Sequence, residues 1–176
     1  MVVRGGAPSE NLYLIDDFVV PNINHFGTQG ANGGATSYIN LDFVSKSTFS
    51  TGGFSTIYGD KLSSVLAINL REGRKDRIGG KGTIAATQFG LNLEGPVGDK
   101  GSFLFSVRRS YLDFIFNAAG FNFVPEYYDA VAKFDYNFSN SDKLSVLFIG
   151  ALDNVKFNNN DQEDIYDNSQ ILGTNQ

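Results

Sequence analysis

Residues 128–138 alternate between apolar and polar side chains almost without interruption. The even-numbered positions are Tyr, Ala or Phe, and the odd-numbered positions between them are Asp, Val, Lys, Asp and Asn. Successive side chains of a β-strand point to opposite faces, so this run predicts a strand with one apolar and one polar face. A second alternating run begins at Lys143, after the short polar segment Ser139 to Asp142. The two runs together predict an antiparallel hairpin.

The composition favours strands and turns and excludes several classes of site. The chain has 20 Gly, 16 Phe and 8 Tyr but only four Pro, which is typical of β-structure. The formal net charge of −5 argues against a nucleic-acid partner, because no surplus of cations is present to neutralise phosphates. The absence of Cys excludes disulfides and thiolate metal sites. No run reaches the ~18 apolar residues of a spanning helix, but a spanning strand needs only ~9–11 alternating residues.

The character of the sequence changes at about residue 73. Residues 1–73 contain short apolar runs broken by Gly and Asn, whereas alternating segments follow at 83–94 and 102–112. A tight turn is predicted at 95–101, and a longer connection at 113–127. Short turns at one end and long loops at the other are typical of outer-membrane barrels.

Several stretches occur in an order that resembles one family. In the first part they are Val3–Gly6, Leu14–Asp16, Phe54–Asp60 and Leu62–Gly73, and in the second part Leu93–Pro96, Arg108–Asp113 and Tyr127–Lys133. Together they resemble the C-terminal part of the plug domain and the first barrel strands of TonB-dependent outer-membrane receptors. The chain departs from that pattern at Asp17, where the family usually has Gly.

The resemblance implies a mainly β fold, in which a partial plug domain precedes the first antiparallel strands of a transmembrane β-barrel. The domains would be 1–73, the C-terminal part of the plug, and 74–176, the incomplete barrel. The family's function is active uptake of a scarce nutrient, such as an iron chelate, cobalamin or a glycan, across the cell outer membrane. Its partners would be the TonB energy-coupling complex, outer-membrane lipid and a small-molecule or oligosaccharide substrate. Because such receptors have about 22 barrel strands, we expect the chain to be a fragment.

The connections also predict a topology. If the chain enters the barrel from the periplasmic side after Gly73, the two short turns should be periplasmic and the connection at 113–127 extracellular. That arrangement requires one further reversal before residue 95. We therefore predict a hairpin of two short strands within 80–94, with its bend at Gln88–Gly90.

Arg108 and Arg109 interrupt the pattern of their strand. By parity with Phe105 and Val107, Arg109 should face lipid, where a cation near the midplane costs ~2–4 kcal/mol. A β-bulge near residue 108 would return Arg109 to the lumen, and we predict that bulge. Alternatively, Arg109 lies high enough to reach the headgroups of the outer leaflet. Pairing with a carboxylate of the plug or of a neighbouring strand is favoured over substrate contact.

The remaining candidate residues indicate binding rather than catalysis. His25 is the only His, so neither a zinc site nor a catalytic triad is expected, and a position in a loop near the plug apex is favoured. The acidic segment 158–164 lacks the central Gly of an EF-hand. No enzyme activity, metal site or cofactor is predicted. The candidate substrate contacts are His25, Asn32, Asn122, Tyr127 and Arg108.

Two alternative functions remain open at the level of sequence. A soluble exported β-sandwich that binds glycan or protein would pack the aromatic side chains of 128–138 against a second sheet of the same chain. A passive outer-membrane porin would lack a plug-like segment before the barrel. The receptor interpretation instead predicts that those aromatic side chains face outward, into lipid.

Overall fold

In the computed structural model of the protein, the described residues are 2–27, 36–55, 57–59, 61–112, 115–116, 120, 123–139, 141–157 and 171–175. The fold is mainly β, as predicted. The chain divides into two compact units, Met1–Arg71 and Glu72–Gln176. The assignment of these units to a plug and a barrel stays a prediction. In the part of the chain that the structure describes, no helix is long and apolar enough to cross a membrane.

The first unit contains a four-stranded sheet with the order β2-β1-β4-β3. Strand β1 is parallel to β4, and the other two pairs are antiparallel. Two short 3-10 helices, Pro8–Glu10 and Leu41–Phe43, precede β1 and β3. The strands are β1 (Asn11–Ile15), β2 (Phe18–Val20), β3 (Val44–Ser50) and β4 (Ser64–Leu70).

An acidic turn connects β1 and β2. Asp16 and Asp17 have φ values of +46° and +68°, the left-handed region that the tight turns of hairpins require. The Oδ1 of Asp16 accepts a hydrogen bond from the backbone N–H of Leu70 at 2.7 Å. Asp17 therefore occupies a backbone conformation that favours Gly, the residue usual there in the family that the chain resembles.

The second unit contains a six-stranded sheet in which every strand is antiparallel to its neighbour in sequence. The spatial order is β10-β9-β8-β7-β6-β5, a simple meander. Asn137 of β8 pairs with Lys143 of β9, which confirms the predicted hairpin. The strands are β5 (Gly79–Ile84), β6 (Gln88–Val97), β7 (Gly101–Ser110), β8 (Phe123–Asn137), β9 (Lys143–Phe157) and β10 (Ile171–Asn175).

The predicted reversal before residue 95 is confirmed, because β5 and β6 form a hairpin. Its bend lies at residues 85–87, where the backbone N–H of Ala85 donates to the carbonyl of Gln88 at 2.8 Å. The predicted bend at Gln88–Gly90 is wrong, since these residues pair with β7. Pairing lets most of their backbone polar groups bond to a neighbouring strand.

The other connections are shorter than predicted. The turn between β6 and β7 occupies residues 98–100, because Gly95 to Val97 continue the ladder of β6. Strand β8 begins at Phe123, so the connection expected at 113–127 ends at least five residues earlier. The assignment of turns to the periplasm and of the long connection to the exterior stays a prediction.

Candidate functional site

The six-stranded sheet of the second unit buries its polar face and exposes its apolar face. On β7, Ser102, Ser106 and Ser110 are fully buried, whereas Phe105 and Val107 are each 37% exposed. On β9, Phe148 is 60% exposed, whereas Asp153 on the opposite side is 4% exposed. We call the side that bears Tyr128 and Phe134 the apolar face and the side that bears Asp129 and Asp135 the polar face. This sidedness is the reverse of that in a water-soluble sheet with one solvated face.

The strand register arranges the apolar face in five rows across β6 to β9. The first row contains Tyr136 and the last row Tyr128, eight residues apart on β8, which corresponds to ~27 Å along the strand. Beyond the last row the face becomes polar, with Glu126 opposite Asn154. The rows are Val97–Gly101–Tyr136–Leu144, Gly95–Phe103–Phe134–Val146, Leu93–Phe105–Ala132–Phe148, Leu91–Val107–Ala130–Gly150 and Phe89–Arg109–Tyr128–Leu152.

Aromatic rings lie at both ends of the apolar face. Near the first row, the Phe134 and Tyr136 rings stack with centroids 6.3 Å apart, and the Tyr136 and Phe138 rings meet edge-on at 5.0 Å. At the last row, the Tyr128 hydroxyl donates to Oε1 of Glu126 at 2.6 Å. The two ends therefore combine apolar ring surface with polar tips.

Arg108 lies on the polar face, where the register places it opposite Asp129. Its Nε is 2.8 Å from Oδ1 of Asp129, and the two side chains are 11% and 0% exposed. Burying both charges is costly unless they stay together, so this ion pair positions the two strands rather than presenting a free cation. The predicted pairing with a carboxylate of a neighbouring strand is present.

A second group of charges surrounds Asp135 on the polar face. Its carboxylate lies 3.1 Å from Nζ of Lys143 and 3.8 Å from Nζ of Lys133, and it accepts a hydrogen bond from the Ser145 hydroxyl. Lys143 also contacts Glu72, which precedes β5, at 2.7 Å. Hydrogen bonds from Lys143 and Lys75 lower the pKa of Glu72 to about 2. This group stabilises the end of the sheet at which β8 turns into β9.

Tyr127 is not a loop residue as the sequence suggested. It lies in β8 on the polar face and is fully buried. Its hydroxyl donates to Oε1 of Gln88 at 2.7 Å, and its backbone N–H donates to the Ser110 hydroxyl at 2.9 Å. The polarity pattern reverses here, with Glu126 on the side of Tyr128 and Tyr127 on the side of Asp129, so the alternation did not extend the predicted strand to this position.

Arg109 lies on the apolar face, and the predicted bulge is wrong. The ladder is regular from Ser106 to Arg109, which pairs directly with Tyr128. The Nη2 of Arg109 donates to Oε1 of Glu126 at 3.1 Å, and its guanidinium lies 5.1 Å from the centroid of the Tyr128 ring. A regular ladder is tolerated because these neighbours of β8 compensate the charge at the end of the apolar face. Parity places Glu126 on the same face as Tyr128, but only the register of β7 on β8 brings it next to Arg109.

His25 is buried in the first unit, with 1% of its surface exposed. Its ring lies between those of Phe26 and Tyr38, at centroid distances of 6.3 and 6.1 Å, and its backbone N–H donates to the carbonyl of Thr36. Burial raises the pKa of Tyr38 to about 12. The imidazole is therefore a packing element of its loop and is not presented at the surface.

Asn32, Asn122 and the acidic segment 158–164 lie outside the described residues. Among the residues that are described, no three His, Asp or Glu side chains are close enough to hold a metal ion. Arg108 and Tyr127 share the polar face of neighbouring strands.

Comparison with models of known protein families finds no match for this chain, and no curated protein matches it. Its function has to be inferred from the arrangement of its own residues.

Proposed function

We propose that the chain is part of a TonB-dependent outer-membrane receptor that takes up a scarce nutrient by active transport. The sidedness of the six-stranded sheet carries this proposal. In water, apolar side chains are favoured in the interior of a protein. This sheet exposes Phe148 and Val146 and buries Asp129 and Asp135, so it is unsuited to an aqueous environment. In the wall of a membrane barrel, apolar side chains face the lipid outside and polar side chains face the interior.

The dimensions of the apolar face support the same environment. Its five rows extend ~27 Å along β8, and a strand tilt of about 40° reduces this to a height of ~21 Å. The apolar band of such barrels is ~25 Å tall and has aromatic side chains at both borders. Tyr128 and Tyr136 occupy those two borders here.

The exposed aromatic side chains favour the receptor over a soluble β-sandwich. A sandwich would pack them against another sheet, yet Phe138 is 59% exposed and Phe148 of the neighbouring strand is 60% exposed. The four-stranded sheet that precedes the meander favours a plugged receptor over an open porin. The proposal includes coupling to the TonB complex. It also includes the class of nutrient, which is an iron chelate, cobalamin or a glycan.

The membrane placement is tested by fluorescence, because the chain contains no Trp. Phe148→Trp places a single reporter on the apolar face, and Leu147→Trp places a matched reporter on the opposite side of the same strand. With the chain in phosphatidylcholine brominated on its acyl chains, we expect strong quenching of the first reporter and little of the second. Equal quenching of the two, or none of either, would contradict a lipid-facing apolar face.

Active uptake is tested in cells of the source organism that lack the gene. Accumulation of one class of labelled nutrient, chosen among ferric chelates, cobalamin and oligosaccharides, should be lost in these cells. In cells that carry the gene, collapse of the proton gradient should abolish the same uptake. Uptake that continues without the gradient would instead indicate a passive pore.

A further inference from the structure

Arg109 is the one cation among the described residues in the five rows of the apolar face. Its side chain is 43% exposed, although a charge in the middle of this face would be costly in lipid. It occurs in the last row, where the cost is lower, beside the polar pair Glu126 and Asn154. The position therefore coincides with the border between apolar and polar surface.

The neighbours of Arg109 hold its guanidinium in place. Glu126 accepts a hydrogen bond from Nη2 at 3.1 Å and is itself only 12% exposed, while the ring of Tyr128 lies 5.1 Å from the guanidinium carbon. A guanidinium has five N–H donors in one plane. Two fixed contacts orient that plane and leave further donors of the same group for an acceptor outside the sheet.

The same row offers apolar surface on both sides of the guanidinium. Phe89 on β6 and Leu152 on β9 flank Arg109 and Tyr128, and they are 47% and 50% exposed. A ligand that fits this row would combine an anionic group with apolar chains lying along the rows below. A free anion would use only the guanidinium.

We propose that Arg109 binds the phosphate of an anionic membrane lipid at this border of the apolar face. The planar guanidinium matches two phosphate oxygens at once, whereas an ammonium would act as a point charge. Glu126 and Tyr128 hold the guanidinium at this border through the hydrogen bond and the ring contact. The proposal rests on the lipid-facing placement proposed above and adds a specific headgroup contact to it.

The test measures retention of phosphatidic acid by the full chain purified in maltoside micelles, which contain no phosphate. Native mass spectrometry should show binding that weakens about tenfold in Arg109→Gln, the loss expected for one charge-assisted bidentate contact. Arg109→Lys keeps the positive charge but lacks the planar set of N–H donors, so it should bind phosphatidic acid with intermediate affinity. Arg77→Gln is the matched control, because Arg77 is an exposed arginine of the segment before β5.

Inorganic phosphate added to the same micelles distinguishes a lipid from a free anion. We expect it to compete only weakly, since it lacks the apolar chains that contact Phe89 and Leu152. Displacement of the lipid by equimolar phosphate would overturn the lipid assignment, and an equal effect of Arg109→Gln and Arg77→Gln would overturn the site. If Phe148→Trp is quenched by brominated lipid while Arg109→Gln binds phosphatidic acid normally, only this inference fails. Absence of quenching would remove the proposed function as well.

Discussion

In the sheet of the first unit, strand β1 buries all five of its residues, and Leu12, Leu14 and Val65 pack together in an apolar core. In the sheet of the second unit, strand β7 buries three serines and exposes Phe105 and Val107. The two central strands of the first sheet, β1 and β4, follow the rule for a protein in water, since most of their residues are removed from solvent. The second inverts that rule along β6 to β9.

The two sheets therefore distribute their apolar side chains in opposite ways within one chain. A compact core needs apolar side chains on the buried side, whereas a wall between lipid and an aqueous interior needs them on the exposed side. The buried charges of the second sheet are consequently held in pairs, such as Arg108 with Asp129. Each prediction below tests one side of this contrast.

The largest effect is expected for Asp129→Ala on the polar face of the second sheet. Removal of this carboxylate takes one ion partner from the buried Arg108, and the loss of a buried ion partner costs about 3–5 kcal/mol. Denaturant unfolding in maltoside micelles measures the change. The double variant Arg108→Met/Asp129→Leu should recover most of the loss. Asp99→Ala in the exposed turn is the control, and equal effects of Asp129→Ala and Asp99→Ala would mean that the polar face is solvated.

A loss of about 2–5 kcal/mol is expected for Ile15→Ala in the first sheet, because Ile15 is fully buried and truncation leaves a cavity. Ile57→Ala makes the same change at a side chain that is 77% exposed and should alter stability by less than about 0.5 kcal/mol. Thermal unfolding followed by circular dichroism compares the two variants. Similar melting temperatures of the two variants would show that β1 does not belong to an apolar core of the kind found in water-soluble proteins.

A small gain is expected for Asp17→Gly in the turn of the first sheet. Asp17 has φ +68°, a conformation that is strained for most L-residues and free of strain for Gly. Relief of this strain, offset by the larger entropy of Gly in the unfolded chain, should stabilise the unit by up to about 1 kcal/mol. Asp99 does not have a positive φ, so Asp99→Gly should not raise the melting temperature. A lower melting temperature for Asp17→Gly would contradict the strain argument.

The smallest effect concerns pH at the start of the second unit. The pKa of Glu72 is lowered to about 2 from a usual value of 4.5, so its ion pairs contribute stability that is fully present above pH 4.5. That contribution is lost as the pH falls from 4.5 towards 2, where the folded carboxylate binds a proton. It is modest, because the side chains of Glu72 and Lys143 are 36% and 40% exposed. Glu72→Gln should remove this pH dependence, and parallel unfolding curves of variant and wild type between pH 2 and 6 would contradict it.

Local patterns predicted the strands better than their ends. The alternation from Tyr128 to Phe138 and the polar segment after it predicted β8, β9 and their hairpin, since the period of two is a property of the strand itself. The predicted ends of the strands were less accurate, because pairing continues wherever a neighbouring strand offers partners. Gly95 to Val97 and Tyr127 are therefore in strands although their composition suggested a turn and a loop.

The candidate site depended more strongly on contacts between distant residues. Arg109 and Glu126 are 17 positions apart, and Arg108 and Asp129 are 21 apart. Their pairing requires the register of β7 on β8, which depends on how the two strands align along their whole length. Parity alone placed Arg109 with the apolar residues, but the carboxylate that compensates its charge could be identified only from that register.

By itself, the sequence determined that the chain is mainly β, that its second part alternates in polarity, and where most of its hairpins lie. These features depend on side-chain direction and turn chemistry, which act over a few residues. Only the tertiary structure decided that the apolar face is exposed, that Tyr127 is buried and that Arg109 lies at the border of that face. Burial is a property of how strands assemble, and an alternating strand has the same sequence pattern whichever of its faces is covered.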